Sequence, residues 1–205
     1  MRTSAVVTGK ASLLKVEVSQ SDLEYVQRRL KQHEADAPKA LRDAANKTAV
    51  TARKLLREHA QKRYTVKTGS FNDKAKISPK ATIASPVAVI TFRGRPIRAV
   101  NFHHTVPKSG VKLEILRGEG LTQLENQYGH KAFIANGRYS GAKLILQRVK
   151  EKGRFPVRAP LSPSAAKMIE KVYDGRGVTD PGMKQEIHDT YQHYLDQQIE
   201  RFLNQ

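Results

Sequence analysis

Apolar residues recur at helical spacing in two long stretches of the sequence. In both, the apolar positions follow one another at intervals of three or four residues, which places them on one face of a helix. The first stretch covers about residues 39–63, and its stripe is rich in alanine: Leu41, Ala44, Ala45, Thr48, Ala49, Ala52, Leu55, Leu56 and Ala60. The second follows Pro181 and carries larger residues: Met183, Ile187, Tyr191, Tyr194, Leu195, Ile199, Phe202 and Leu203. The alanines predict close approach of the first helix to its neighbours, whereas the second helix can dock on its own domain or reach a neighbouring subunit.

Two shorter helices are predicted from capping signals. Ser21, with Glu24 three residues later, forms a capping-box pattern ahead of apolar residues at helical spacing. Ser162 followed by Pro163 is typical of an N-cap and a first helical turn, and Gly175 is a typical C-terminal stop. We therefore expect the two helices to begin at these serines.

Short β-prone runs occupy the middle of the chain and are separated by Gly and Pro turns. They cover residues 13–18, 81–84, 87–92, 97–102, 111–116, 133–135 and 144–149. Because no connection among the last six has room for a crossover helix, an antiparallel sheet is predicted. Residues 118–129 have weak helical character. Residues 64–80 are polar and basic, so we expect a mobile loop there that becomes ordered against a partner.

Together these elements predict an α+β fold. A long N-terminal helix and a second helix would pack on an antiparallel β-sheet, with a C-terminal helical appendage. At 205 residues the chain has room for one medium-sized domain with appendages. We expect an N-terminal arm of a strand and a short helix over residues 1–35, an α+β core domain over residues 36–175, and a linker with an amphipathic helix over residues 176–205.

The chain is strongly basic and contains no cysteine. Its 37 Lys and Arg residues against 19 Asp and Glu residues give a formal net charge of +18. Such a charge indicates an acidic partner, which can be nucleic acid, an anionic membrane or an acidic protein, or else a solvated surface. The lack of cysteine excludes disulfides, cysteine nucleophiles and thiolate metal sites. No apolar run approaches the roughly 18 residues of a membrane span or forms a signal peptide, so we expect no membrane partner.

No pattern in the sequence predicts catalysis. His103 and His104 are neighbours, so in a strand they would point to opposite faces and could not share a metal ion without a kink. A Gly-x-Ser-x-Gly nucleophile motif and a Walker-type phosphate loop are both absent. The sequence therefore predicts no enzyme, no cofactor and no metal site. No helix-turn-helix or zinc-finger motif is legible either, so any contact with DNA would be directed at phosphates rather than bases.

Residues 132–173 carry the most recognisable motif of the chain. An apolar strand that ends at Arg148 is followed by a basic turn, then by Arg154-Phe155-Pro156-Val157 and a Pro-Ser helix start. This order resembles the end of the phage minor tail protein Z family, and the helix of residues 40–58 is similar to the opening helix of that family. The similar parts span about residues 37–173. The strand before Ser19 and the helix after Gly175 lie outside the resemblance.

The resemblance implies a structural virion protein, a tail completion protein of a tailed bacteriophage or prophage. Such proteins act at the head-proximal end of the tail and prepare it for joining to the head. The resemblance also implies a ring of copies of this chain, hexameric in the family, and contacts with the tail tube or tail terminator protein and with head–tail connector proteins. The expected location is the virion tail and, during assembly, the host cytoplasm.

On this interpretation, the candidate contact residues lie at two hairpin tips and in one loop. The first tip carries Arg138 and Tyr139. The second tip comprises Arg148, Lys150, Lys152 and Arg154, with Phe155, Pro156 and Val157 as a packing anchor. The loop of residues 64–80 carries Lys67, Lys74 and Lys76. The alternatives are plain solvation for the arginines and, for Phe155, burial in the protein's own core, which is the ordinary position of a phenylalanine.

Two other functions fit the same sequence. A sequence-independent DNA-binding protein would share the charge, but it leaves the β-hairpins and the terminal helix unexplained. A tail terminator or head–tail joining protein would be close in role. Within a tail, we favour contacts with acidic proteins or loose contact with genomic DNA, because a wall that gripped DNA tightly would hinder its exit.

Overall fold

Helices and antiparallel strands make up the structure, a computed structural model that describes residues 2–8, 11–72, 74–137, 140–175 and 181–204. The α-helices are α1 (Gln20–Leu30), α2 (Ala37–Arg63), α3 (Thr68–Asn72), α4 (Ala165–Asp174) and α5 (Lys184–Leu203), and 3₁₀ helices cover Lys31–Asp36 and Ala99–Asn101. The strands are β1 (Arg2–Thr8), β2 (Ala11–Glu17), β3 (Ala75–Ile77), β4 (Val87–Arg93), β5 (His103–Thr105), β6 (Lys112–Glu114), β7 (Thr122–Gln123), β8 (Phe133–Asn136), β9 (Lys143–Arg148) and β10 (Val157–Arg158). The predicted α+β class is confirmed.

The described strands form three small antiparallel sheets rather than the single sheet that the sequence predicts. Their strand orders are β1-β2-β4-β3, β10-β9-β8 and β5-β6-β7. The first sheet pairs β2 with β4 across the intervening helices, in the register Leu14 to Ile90. Strands β5 to β7 are only two or three residues long. Such short ladders cannot extend into the first sheet, so the β-prone region divides.

Helix α2 lies at the centre of the fold. It contacts α1, α4 and α5 and also β2, β3 and β4. At 27 residues it spans about 40 Å. Its predicted apolar stripe is buried except for Leu55, which is half-buried. The small side chains of the stripe allow helices and strands to approach closely on several sides, as the alanine pattern predicts.

Helix α5 docks on its own chain, which decides between the two possibilities left open by the sequence. Tyr191 and Leu195 are buried within the same hydrophobic cluster as the α2 stripe. The hydroxyls of Thr51 and Tyr194 are hydrogen-bonded at 2.8 Å across the α2–α5 contact. Gly182 has a φ of 78° and lies so close to α4 that an added Cβ would overlap the Tyr173 carbonyl oxygen. Glycine at this position therefore permits the close approach of α5 to the end of α4.

The two predicted helix starts are each wrong by two residues. Ser19, not Ser21, caps α1: its Oγ accepts from the Asp22 backbone N–H, and the Asp22 carboxylate accepts from the Ser19 N–H at 2.9 Å. Ser164, not Ser162, caps α4, since its Oγ accepts from the Lys167 N–H at 3.1 Å. The Ser162 hydroxyl instead donates to the carbonyl of Ile97. In each case an alternative serine lies within reach, and tertiary position decides which one caps the helix.

Residues 64–80 form part of the folded core, so the prediction of a partner-ordered loop is wrong. Tyr64, Val66, Phe71 and Ala75 are buried, and Phe71 is fully enclosed. The segment forms α3 and then β3, which pairs with β4 at the edge of the first sheet. Its apolar residues are few, but each reaches the core, and this anchors the polar residues between them.

Three other segments differ from their predicted elements, and one strand was not predicted. Residues 81–84 form no strand, because the Asn46 side chain of α2 bonds both the N–H and the carbonyl of Ala81. Residues 97–102 contain a 3₁₀ helix, and the strand begins at His103. Residues 118–129 are not helical, since Gly118, Gly120 and Gly129 take positive φ values. Strand β1, which the sequence analysis missed, pairs along its whole length with β2.

Enlarging a residue of the alanine stripe is expected to destabilise the protein. Ala49 is fully buried, whereas its neighbour Val50 is 52% exposed. Ala49→Leu should lower the free energy of unfolding by about 1–3 kcal/mol because the packed face has no room for added methylenes. Val50→Leu, the matched control, should change it by less than about 0.5 kcal/mol. Urea unfolding measures both, and equal stability of the two variants would contradict close packing at α2.

Candidate interface on the basic turn

A hairpin turn holds five exposed cations at the end of the second sheet, between β9 and β10. We call residues 148–158 the basic turn; its cations are Arg148, Lys150, Lys152, Arg154 and Arg158, and its single carboxylate is Glu151. The chain leaves β9 at Arg148 and returns opposite it at Val157. The Val149 N–H donates to the Pro156 carbonyl at 3.0 Å and closes the turn. Gly153 supplies the left-handed φ of 98° that the reversal requires.

Two side chains from a neighbouring loop hold the basic turn by its backbone. His130 Nε2 lies 3.0 Å from the Lys150 carbonyl oxygen and 2.9 Å from that of Glu151. Both partners only accept, so Nε2 is the donor in this arrangement. Asn126 Nδ2 donates to the Arg148 carbonyl at 2.7 Å. These bonds fix the path of the turn while the charged side chains point away into solvent.

The two most exposed large apolar side chains of the described residues lie within the basic turn and just after it. Phe155 is 75% exposed and Leu161 is 88% exposed. Pro156 is also exposed, and Val157 is half-buried where β10 begins. Burial of Phe155 in the protein's own core, the alternative stated above, is therefore wrong. An exposed phenylalanine between cations is a feature typical of interaction surfaces.

The predicted lysines of residues 64–80 do not belong to the basic turn. Lys76 is exposed on β3, at the edge of the first sheet, and Lys74 is partly buried just before that strand. Lys67 is exposed, and its backbone N–H donates to the Asn101 carbonyl at 2.8 Å. The structure thus distributes these predicted contact residues over separate elements.

The other predicted hairpin tip is only partly visible. Strands β8 and β9 pair from Phe133 to Asn136, as expected, and the Gly137 N–H donates to the Ala142 carbonyl at 2.9 Å. Arg138 and Tyr139, which were predicted at the tip, lie outside the described residues.

The two adjacent histidines have separate structural partners. His103 Nδ1 lies 2.8 Å from Glu114 Oε2, and His104 Nδ1 lies 2.9 Å from the Phe102 carbonyl oxygen. The hydrogen bond with His103, together with backbone N–H donors from Gly118 and Gly120, lowers the pKa of Glu114 below its ordinary value. The arrangement braces the turn after β6.

The described part of the chain offers neither a metal site nor a membrane-spanning helix. No group of three or more His, Asp or Glu side chains there is placed to hold a metal ion. No described helix is both long enough and apolar enough to cross a membrane. The exposed basic turn is therefore the best-formed candidate site among these residues.

Sequence reasoning missed the supports of the turn and one exposed apolar residue. Asn126 accepts from the N–H groups of Tyr128 and His130 through its side-chain oxygen, which is typical of an asparagine that organises a tight turn. The Asn and Gly residues of that loop indicated a tight turn around Asn126. They did not indicate that this loop contacts residues 148–151. Nothing in the spacing of Leu161 distinguished it from a core residue.

A hydrogen-bonded turn that carries cations and an exposed phenylalanine is typical of proteins that act by binding and assembly. Comparison with protein families then identifies the family: residues 22–205 match that of the prophage minor tail protein Z (GPZ), and the chain belongs to it. It is therefore a structural component of a phage or prophage tail. The match includes α5, so the expectation that the last helix falls outside the family is wrong; β1 and β2 precede the match. Comparisons with curated proteins and with solved structures gave no match.

Removal of the His130 side chain is expected to loosen the basic turn without unfolding the protein. His130→Ala deletes a donor to two carbonyls, a loss of about 0.5–1.5 kcal/mol. Hydrogen exchange of the Val149 amide, which closes the turn, should therefore accelerate roughly 2- to 10-fold. His193→Ala, which removes an exposed histidine on α5, serves as the control. Unchanged protection of Val149 in His130→Ala would show that the clamp does not order the turn.

Proposed function

We propose that this chain is a tail completion protein. In this proposal it assembles as a ring at the head-proximal end of the tail and prepares the tail for joining to a DNA-filled head. Membership in the minor tail protein Z family supports a structural role in the tail. The ring, its position and the joining step are our proposal. In this proposal the protein acts by binding neighbouring subunits through its surface, and it makes or breaks no covalent bond.

The observation that carries the proposal is the exposure of Phe155 beside the cations of the basic turn. A phenylalanine that is 75% exposed leaves most of its apolar surface in water. Covering a side chain of this kind is favourable, since aromatic residues supply about 150–250 Å² of buried area each. The flanking arginines and lysines add electrostatic attraction and orientation toward an acidic neighbour. An aromatic anchor with arginine at its edge is the composition typical of binding hot spots.

The proposed neighbours are other tail components. We propose further copies of this chain, hexameric by resemblance, the tail tube or tail terminator protein, and head–tail connector proteins. Assembly would take place in the host cytoplasm. A tail terminator or head–tail joining role would use the same surface at the same end of the tail.

Reversal of two charges on the basic turn is expected to impair tail assembly. Arg148→Glu with Arg154→Glu replaces two exposed cations by carboxylates and should reduce incorporation of the protein into tails by about tenfold or more. Arg95→Glu with Lys108→Glu, which makes the same charge change at exposed positions elsewhere, is the matched control. Incorporation is measured as the amount of protein in particles purified from an induced lysate.

Position in the tail is tested on the same particles with a tag at the C-terminus and gold labelling in the electron microscope. The proposal expects label at the head–tail junction or at the blunt end of free tails. Full incorporation and infectivity of a folded Arg148→Glu, Arg154→Glu variant would remove the basic turn from the interface. Particles without label would contradict tail completion itself.

A second candidate function is sequence-independent DNA binding, and the five cations around one carboxylate favour it. Phosphate groups would meet the basic turn through charge, without base contacts. This function does not use the exposed Phe155 unless a base stacks on it. Loose contact with genomic DNA during its passage is compatible with the tail role, whereas tight binding is not.

Salt dependence distinguishes loose contact from tight binding. If all five cations of the turn contact phosphates, the logarithm of the binding constant should fall with the logarithm of salt concentration at a slope of roughly −4.5. A tail completion protein should instead show no stable complex with duplex DNA at physiological salt in a gel shift assay. A steep slope with micromolar affinity at that salt would favour the DNA-binding alternative.

A further inference from the structure

Helices α2 and α5 enclose an open groove on a part of the fold remote in sequence from the basic turn. The groove has a volume of about 670 Å³, within the range of protein binding pockets. Its apolar walls include Leu55 and the ring of Tyr194, both half-buried. Glu186 and Asp189 stand at its rim, on the first turns of α5, and are exposed. We call this feature the α2–α5 groove.

The rim of the α2–α5 groove is acidic in a protein that is otherwise strongly basic. Helix α5 carries four carboxylates (Glu186, Asp189, Asp196 and Glu200) against two cations (Lys184 and Arg201). Within the described part of the chain, no lysine or arginine forms an ion pair with Glu186 or Asp189. The nearest cation in sequence, Lys184, is engaged by Asp174 at 2.9 Å, and that hydrogen bond raises the pKa of Lys184.

The rim carboxylates have only weak or neutral partners. Glu186 Oε2 lies 3.9 Å from His59 Nε2, and Asp189 Oδ1 accepts from the Gln185 amide at 2.7 Å. Neither contact is a close ion pair, because a glutamine carries no charge and the 3.9 Å separation from His59 is longer than a hydrogen bond. The groove therefore sets two exposed carboxylates beside apolar walls, with Lys47 Nζ 5.8 Å from the centre of the Tyr194 ring, and an occupant that offers cations and an apolar side chain together would complement it.

The basic turn meets both requirements. It sets Phe155 beside Lys152 and Arg154, all of them exposed. Within one copy, the turn and the groove belong to different parts of the fold. Strand β9, which leads into the turn, contacts the 3₁₀ helix Ala99–Asn101, whereas α5, which forms the groove, contacts α1 and α2. The two rim carboxylates repel a phosphate backbone, which favours a protein surface as the occupant.

We propose that the α2–α5 groove receives the basic turn of a second copy of this chain, with Phe155 over Leu55 and Tyr194 and the cations against Glu186 and Asp189. The inference rests on the proposed function, because it names the contact that would build the ring. In a ring the contact is heterologous: each copy donates its turn to one neighbour and accepts the turn of the other, and the ring forms where the rotation closes.

Site-specific cross-linking tests which surfaces meet. The chain has no cysteine, so Glu151→Cys on the turn and Gln185→Cys on the groove introduce unique thiols. The two variants are mixed as purified full-length protein at high concentration, and are also produced together in cells from which tails are isolated. A short bis-maleimide should join Glu151→Cys to Gln185→Cys and join neither variant to itself. Self-linking of Glu151→Cys to the same extent, or no product in either sample, would overturn the proposal.

Charge exchange between the two surfaces supplies an independent readout. Lys152→Glu with Arg154→Glu on the turn variant should reduce the mixed cross-link about tenfold or more, and so should Glu186→Lys with Asp189→Lys on the groove variant. Mixing the two reversed variants should restore it, because opposite charges again face each other. Arg95→Glu with Lys108→Glu is the control that alters net charge elsewhere. Failure of the two reversed variants to restore the cross-link would overturn the contact with a second copy.

The outcomes separate this contact from the proposed function. Gold label at the head-proximal end of the tail without a turn–groove cross-link in those tails would overturn the contact and leave tail completion standing. A specific cross-link in purified protein, with no label on particles, would support the contact and contradict tail completion.

Discussion

Close packing around α2 is the constraint on which the rest of the structure depends. Its alanine-rich face lets α4, α5 and the first sheet approach one helix within a chain of modest apolar content. The end of α2 also anchors the second half of the fold: Tyr64 bridges to Leu116, and the Arg63 side chain donates to the Lys171 carbonyl at 2.6 Å. The groove beside α5 exists because α5 is seated on this helix.

The basic turn is stabilised by hydrogen bonds to its backbone rather than by close apolar packing. Its shape is maintained by hydrogen bonds from His130 and Asn126 to backbone carbonyls, and its charged side chains take no part in them. Like charges in water repel one another weakly, at about 1 kcal/mol for two unit charges 4 Å apart. Five cations on one turn therefore lower the free energy of unfolding only slightly. The apolar side chains that stabilise the fold are packed around α2.

Periodic patterns predicted the parts of the fold that repeat, and tertiary contacts decided the rest. The stripe of α2, the α5 stripe and the β8–β9 hairpin follow from spacing that shows in the sequence itself. The burial of Phe71, the capping by Ser19 and Ser164, and the loss of a strand at Ala81 depend on what lies nearby in space. At the candidate site, the turn and its cations were predictable from Gly, Pro and charge. The exposure of Phe155 was not, because a phenylalanine is ordinarily buried.

The use of backbone carbonyls to hold the basic turn has an evolutionary consequence. Side chains at positions 148, 150 and 151 can be exchanged without losing the acceptors of the bonds from His130 and Asn126, since every residue type supplies the same carbonyl group. Mutations there change what the turn recognises and leave the scaffold intact. Single substitutions can thus adapt the turn to an altered binding partner, and each variant along the way still folds.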